Sequence, residues 1–168
     1  NHLDQNSREI VKQYLSGKQG FILVSHDRDE VFRMTDRIAI MEQGHISTNG
    51  TKKQVFAEPT TVSGAALTGC KNISSIRKLD MQTVEALDWG ITLTLSQPVQ
   101  DAAAVGIRMH SVRPGKGENS FLCRVTEVIE NPFSVTVMLR AAEEALPFGM
   151  ELSKAEWEQI NDNYVYVN

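Results

Sequence analysis

Four consecutive apolar residues, Phe21, Ile22, Leu23 and Val24, run directly into Ser25-His26-Asp27, and this junction restricts the available folds more than any other stretch. A short unbroken apolar run is the pattern of a strand covered on both faces of a parallel sheet, whereas a strand with one wet face alternates. Polar residues at the carboxyl end of such a strand stand where open α/β sheets contact their ligands. Asp27 and Glu30 have the spacing of an N-cap and an N3 residue, so a helix is expected from Arg28, turning Val31 and Phe32 inward. Arg37–Glu42 reads as the next strand. The resulting order is strand, histidine at the tip, short helix, strand.

Bulk properties exclude several classes. With 168 residues, 41% apolar and 23% charged, the chain can build one or two ordinary globular domains. No apolar run approaches the ~20 residues that span a bilayer, and no charged-then-apolar leader is present. The net charge is −4, and the basic clusters Lys52-Lys53 and Arg77-Lys78 are short, which argues against a nucleic-acid partner. Cys70 and Cys123 lie far apart without CxxC spacing, so reduced buried thiols are expected. The four histidines show no metal-ligand grouping, and no metal site is expected.

Along the chain, a helix is expected over Ser7–Ser16, with Ile10, Val11, Tyr14 and Leu15 on one face and Gly17 as its stop. After Gly44 come a short strand at His45–Asn49, a helix at Lys52–Glu58 begun by Thr51 and halted by Pro59, and another at Thr61–Leu67. From Thr68-Gly69 the character changes. Segments 72–77, 83–86, 91–95, 105–109, 121–129, 134–139, 150–152 and 164–167 are β-rich. Their turn signals recur about every 8–12 residues, the cadence of a small barrel or sandwich. Ser153 and Glu156 form a capping box for one late helix over Lys154–Asn161. The expected core is Val84, Leu87, Trp89, Ile91, Leu93, Leu95, Val125, Val128, Val135, Val137 and Leu139. The expectation is therefore an α/β portion at 1–67 followed by a mainly-β, OB-like barrel at 68–168.

The strand ending in Ser25-His26-Asp27, the helix running into Asp36-Arg37-Ile38 and the turn at Gly44 resemble the switch segment of ABC-transporter ATPases. Asn1-His2-Leu3-Asp4 is similar to the loop that precedes that segment, and the stretch from Gly50 to Pro59 resembles the end of the ATPase domain. Leu67-Thr68-Gly69-Cys70-Lys71-Asn72 and Gly106-Ile107-Arg108 with Val112 resemble the accessory TOBE-type β-barrel of importer ATPases, although Met109-His110 replaces the usual Pro-Glu. The later segments look closest to subunits that energise molybdate, tungstate or sulfate import.

That resemblance implies the C-terminal part of a P-loop-type ATPase subunit. His26 would contact the γ-phosphate and attacking water of ATP, and Asp4 would lie near the dimer partner's nucleotide site. The phosphate-binding loop, the signature motif and the Asp-Glu strand do not occur in this chain, so ATP and Mg would be held by the intact subunit and not by this stretch alone. The implied partners are a second copy of the subunit and transmembrane permease subunits, at the cytoplasmic face of the membrane. Lys71, Asn72, Arg108 and Ser111, in the two barrel motifs, are the candidates for binding the transported oxyanion. Each is also an ordinary surface or turn residue. Two rivals remain: a free-standing intracellular oxyanion-binding module, and a soluble translation ATPase of the same superfamily.

Overall fold

The computed structural model describes residues 9–11, 13–14 and 20–168. By contact density the chain divides into two compact units, residues 1–68 and 69–168. The expected helix over 7–16 lies partly outside the described residues; 9–11 and 13–14 are helical.

In the first unit, helix α1 spans Arg28–Met34 and starts at its expected cap, Asp27, whose side chain accepts from the Asp29 and Glu30 amides. Strands β1 (Arg37–Glu42) and β2 (His45–Thr51) form an antiparallel hairpin. Gln43 and Gly44 at its turn both have positive φ, the conformation that tight hairpin turns demand. Helix α2 (Lys52–Ala57) is opened by a capping box between Thr51 and Gln54, and α3 (Val62–Leu67) by Thr61.

The run Phe21–Val24 corrects the sequence reading. It is not a strand: Ile22 and Val24 are 94% and 92% exposed, and no parallel ladder occurs among the described residues. An apolar run becomes a buried strand only when neighbouring strands satisfy its backbone, and none of the described strands lies beside it. Helix α1 is likewise less covered than expected. None of its residues is buried, and Phe32 packs edge-on against Phe56 with the ring centroids 4.9 Å apart.

The second unit is built from two four-stranded antiparallel sheets. One has the order β10-β7-β8-β9, and the other β5-β4-β3-β6. The strands are β3 (Asn72–Lys78), β4 (Thr83–Ala86), β5 (Ile91–Thr94), β6 (Ala104–Ile107), β7 (Phe121–Glu130), β8 (Ser134–Arg140), β9 (Phe148–Ser153) and β10 (Tyr164–Val167). Helix α4 (Lys154–Ile160) carries the expected Ser153–Glu156 capping box. One core joins the sheets, with Trp89, Ile91, Cys123, Val137, Leu139, Met150 and Val165 among its members. Alternation puts Val135, Val137 and Leu139 inward along β8, which is buried at every second position.

Three details depart from the expected pattern. The strand expected to reach Met109 ends at Ile107, and Met109–Ser111 forms a 3-10 turn. Met109 then lies across Gly149, where its thioether end occupies the space a Cβ would need. Leu87 and Val128 are 49% and 41% exposed and are not core residues. Leu87 follows buried Ala86, so strand parity turns it outward. Val128 lies beyond a bulge at Thr126, opposite Val137, where the hairpin outruns its cover.

The sheet margins are closed by side-chain amides. Asn72 donates Nδ2 to the Gly149 carbonyl and accepts the Gly149 amide on Oδ1, both at 2.7 Å, imitating a ladder pair between β3 and β9. Asn119, in a left-handed conformation with φ 60°, does the same for the Thr94 backbone at 2.7 and 2.9 Å. Residues Arg113 and Gly115 bond to the end of β10 through Asn168 and Tyr166. Edges that would otherwise recruit foreign strands are thereby occupied.

Candidate functional site

The switch-like turn is held by three residues of its own. The Ser25 hydroxyl donates to Glu30 Oε2 at 2.6 Å and accepts the Asp27 amide at 3.1 Å. Asp27 Oδ1 takes the Asp29 and Glu30 amides, both at 3.0 Å. Ser25, Asp27 and Glu30 thus anchor the start of α1, and His26 between them is exposed. The sequence revealed the Asp27–Glu30 cap but not the Ser25–Glu30 bond, whose signal is a hydroxyl residue two positions before the cap. A side chain carried on a turn fixed at both neighbours is well placed to meet a ligand brought by another part of a protein. Asp4, its companion in the sequence reading, lies outside the described residues.

In the second unit, the two stretches that resembled the accessory domain do meet. Asn72 stands opposite Ile107 in the β3/β6 ladder, which brings Lys71 and Arg108 to the same end of that strand pair. Their chemistry differs from the expectation. Asn72 is 3% exposed and both halves of its amide are committed to Gly149, so it is a structural stitch and not a presented ligand donor. Lys71 and Ser111 are exposed, and Arg108 is half-buried with its charge directed at Cys70. Burial pushes the Cys70 thiol up, while the Arg108 charge and a backbone hydrogen bond from Asn72 oppose that shift. The protonated thiol donates to the Asn72 carbonyl at 3.3 Å. Cys70 also crowds Gly106, where an added Cβ would come within 3.0 Å of Sγ. The signal that Asn72 matters was present in the motif. Its partner lies 77 residues away, and nothing local announces it.

Both cysteines are free, buried thiols. Among the described residues no helix is long and apolar enough to cross a membrane.

No protein-family model matches the chain. It is 36% identical over 92 residues to the spermidine/putrescine import ATP-binding protein PotA of Shigella boydii serotype 4, covering 50% of this chain and 24% of that protein. It is 43% identical over 53 residues to the protein of the same name from Bacillus thuringiensis strain Al Hakam, covering 32% of this chain and 16% of that protein. The Bacillus anthracis counterpart matches to the same extent. The chain therefore spans about a quarter or less of the length of the curated relatives it matches. These relatives are ATP-binding subunits of importers, in agreement with the general resemblance. Their names carry a polyamine cargo, and the expected molybdate, tungstate or sulfate cargo finds no support in them.

Proposed function

We propose that this chain forms the C-terminal part of the ATP-binding subunit of an ABC importer, and that its cargo is of the spermidine or putrescine class. The observation that carries the reading is the similarity to polyamine-import ATP-binding proteins from Shigella and Bacillus. In this reading residues 1–67 complete an ATPase domain whose phosphate loop and magnesium ligands lie in other parts of the subunit. His26 meets the γ-phosphate of ATP, Asp4 faces the nucleotide site of a second copy, and residues 68–168 form an accessory barrel that regulates or dimerises the subunit. Permease subunits hold the assembly at the cytoplasmic face of the membrane. The turn geometry supports the role given to His26, because Ser25, Asp27 and Glu30 fix the backbone on both sides of it.

The role of His26 is tested in the intact subunit. His26→Ala should lower ATP turnover by about a hundredfold or more while leaving nucleotide affinity nearly unchanged, as for a group that acts on the reacting phosphate. Equal losses in both would make it a structural histidine. The cargo is tested by uptake through the assembled importer. Spermidine and putrescine should each be transported and compete with one another, and uptake of molybdate or sulfate in their place would restore the oxyanion reading.

A further inference from the structure

The outer face of the β10-β7-β8 sheet carries a row of residues that the importer reading does not use. Tyr164 stands opposite Arg124 in the β10/β7 ladder, and Arg124 stands opposite Arg140 in the β7/β8 ladder. Their strand neighbours Cys123, Leu139 and Val165 are buried, so alternation puts Tyr164, Arg124 and Arg140 together on the opposite face. Two like charges directly opposed across a sheet repel each other. Among the described residues neither arginine forms an ion pair with a carboxylate. Arg140 Nη1 donates to the Glu143 backbone carbonyl at 3.1 Å, while its Nε is buried without a hydrogen-bond partner.

These side chains line an open groove of about 300 Å³, completed by Leu122, Ala141, Ala142 and Glu143. Beside it, on the same face of β10, Tyr166 carries Lys116 over its ring with Nζ 4.3 Å from the centroid. Two guanidiniums and one carboxylate therefore line the groove, on a chain whose net charge is −4. Placing two opposed guanidiniums in a concavity is costly unless something negative joins them.

We propose that the Arg124–Arg140 groove binds a tetrahedral oxyanion of the phosphate class, held between the two guanidiniums with the Tyr164 ring and hydroxyl at its side. A carboxylate is satisfied by one planar fork. Two forks from opposed positions match the extra oxygens and the second charge of a phosphate group. The groove's charge repels a polyamine, so its ligand is not the cargo proposed above, and the inference stands or falls independently of that reading.

The test follows thermal unfolding of the whole chain as orthophosphate or glycerol phosphate is raised through the millimolar range, with ionic strength held constant by sodium chloride. Either phosphate should raise the midpoint progressively by linkage, while chloride and acetate should not. The stronger of the two then tells whether a free ion or a phosphoryl group on a larger body is preferred. Arg124→Gln is the decisive variant, since Arg124 is exposed and its loss leaves the fold intact. It should weaken binding about tenfold or more, the effect of losing hydrogen bonds to a charged group. Glu143→Gln should strengthen binding by removing the one negative side chain. Equal shifts with phosphate and chloride, or an Arg124→Gln protein that binds as tightly as its parent, would overturn the proposal.

Discussion

Val137, Leu139 and Met150 in the second unit are fully covered, whereas Ile22 and Val24 in the first are 94% and 92% exposed. The two regions contain similar proportions of well-formed local structure. Each has a helix opened by a capping box, at Thr51 and at Ser153, and each has an antiparallel hairpin. They differ in what the elements pack against. Residues 69–168 close two sheets around one core, while in the described part of 1–68 the buried apolar side chains are Ile40 and Val55. Caps and turns specify where elements begin and end, but burial supplies most of the free energy that keeps them.

The largest effect should come from the second core. Leu139→Ala should destabilise residues 69–168 by about 2–5 kcal/mol, the cost of a cavity among side chains that cannot collapse onto it. Val24→Ala, at an exposed site, should stay within about 0.5 kcal/mol. Urea unfolding of both variants measures the contrast, and similar losses would erase it.

Next is the stitch between the sheets. Asn72→Ala leaves the Gly149 amide and carbonyl buried without partners and should cost about 1–3 kcal/mol. Asn72→Asp keeps the acceptor for the Gly149 amide but loses the donor to its carbonyl, so the urea midpoint should also fall. A midpoint unchanged by either substitution would make the amide pairing incidental.

A smaller and local effect is expected in the first unit. Asp27→Ala removes the cap of α1 and should cost about 1 kcal/mol there. Amide exchange should accelerate across Arg28–Met34 without altering the unfolding of the β-rich unit. Acceleration in both regions would mean that they share more stability than their cores suggest.

The last effect is confined to alkaline pH. Burial pushes the Cys123 thiol up from 9.0 to about 11. A folded-state value above the unfolded one means the native state holds the proton more firmly. Its contribution is complete below about pH 9 and is lost as pH rises toward 11. Stability measured across that window should fall less steeply in Cys123→Ala than in the parent, and parallel curves would refute the assignment.

Much of this architecture was legible because it is local. The ranges of β1, β4 and β10, and the caps at Asp27, Thr51 and Ser153, follow from alternation and side-chain chemistry within a few residues. Most of the misreadings are non-local. Phe21–Val24 carries a buried strand's composition, but composition cannot supply neighbouring strands. Leu87 failed on parity, a local matter, since the adjacent Ala86 at the end of β4 is the one that faces inward. Asn72 looked like a ligand donor until its partner in β9 was known, and the Arg124–Arg140 pair exists only through the β7/β8 register. His26 was legible as the residue at the turn because its neighbours' hydrogen bonds are local.

The central claim is that residues 68–168 carry their own core and that the described part of the leading 67 does not. Separate expression of 1–67 and 68–168, each followed by thermal and urea unfolding, tests it most directly. The account predicts a cooperative transition for 68–168 and a gradual, featureless one for 1–67. A cooperative 1–67 fragment beside an unfolded 68–168 fragment would contradict it.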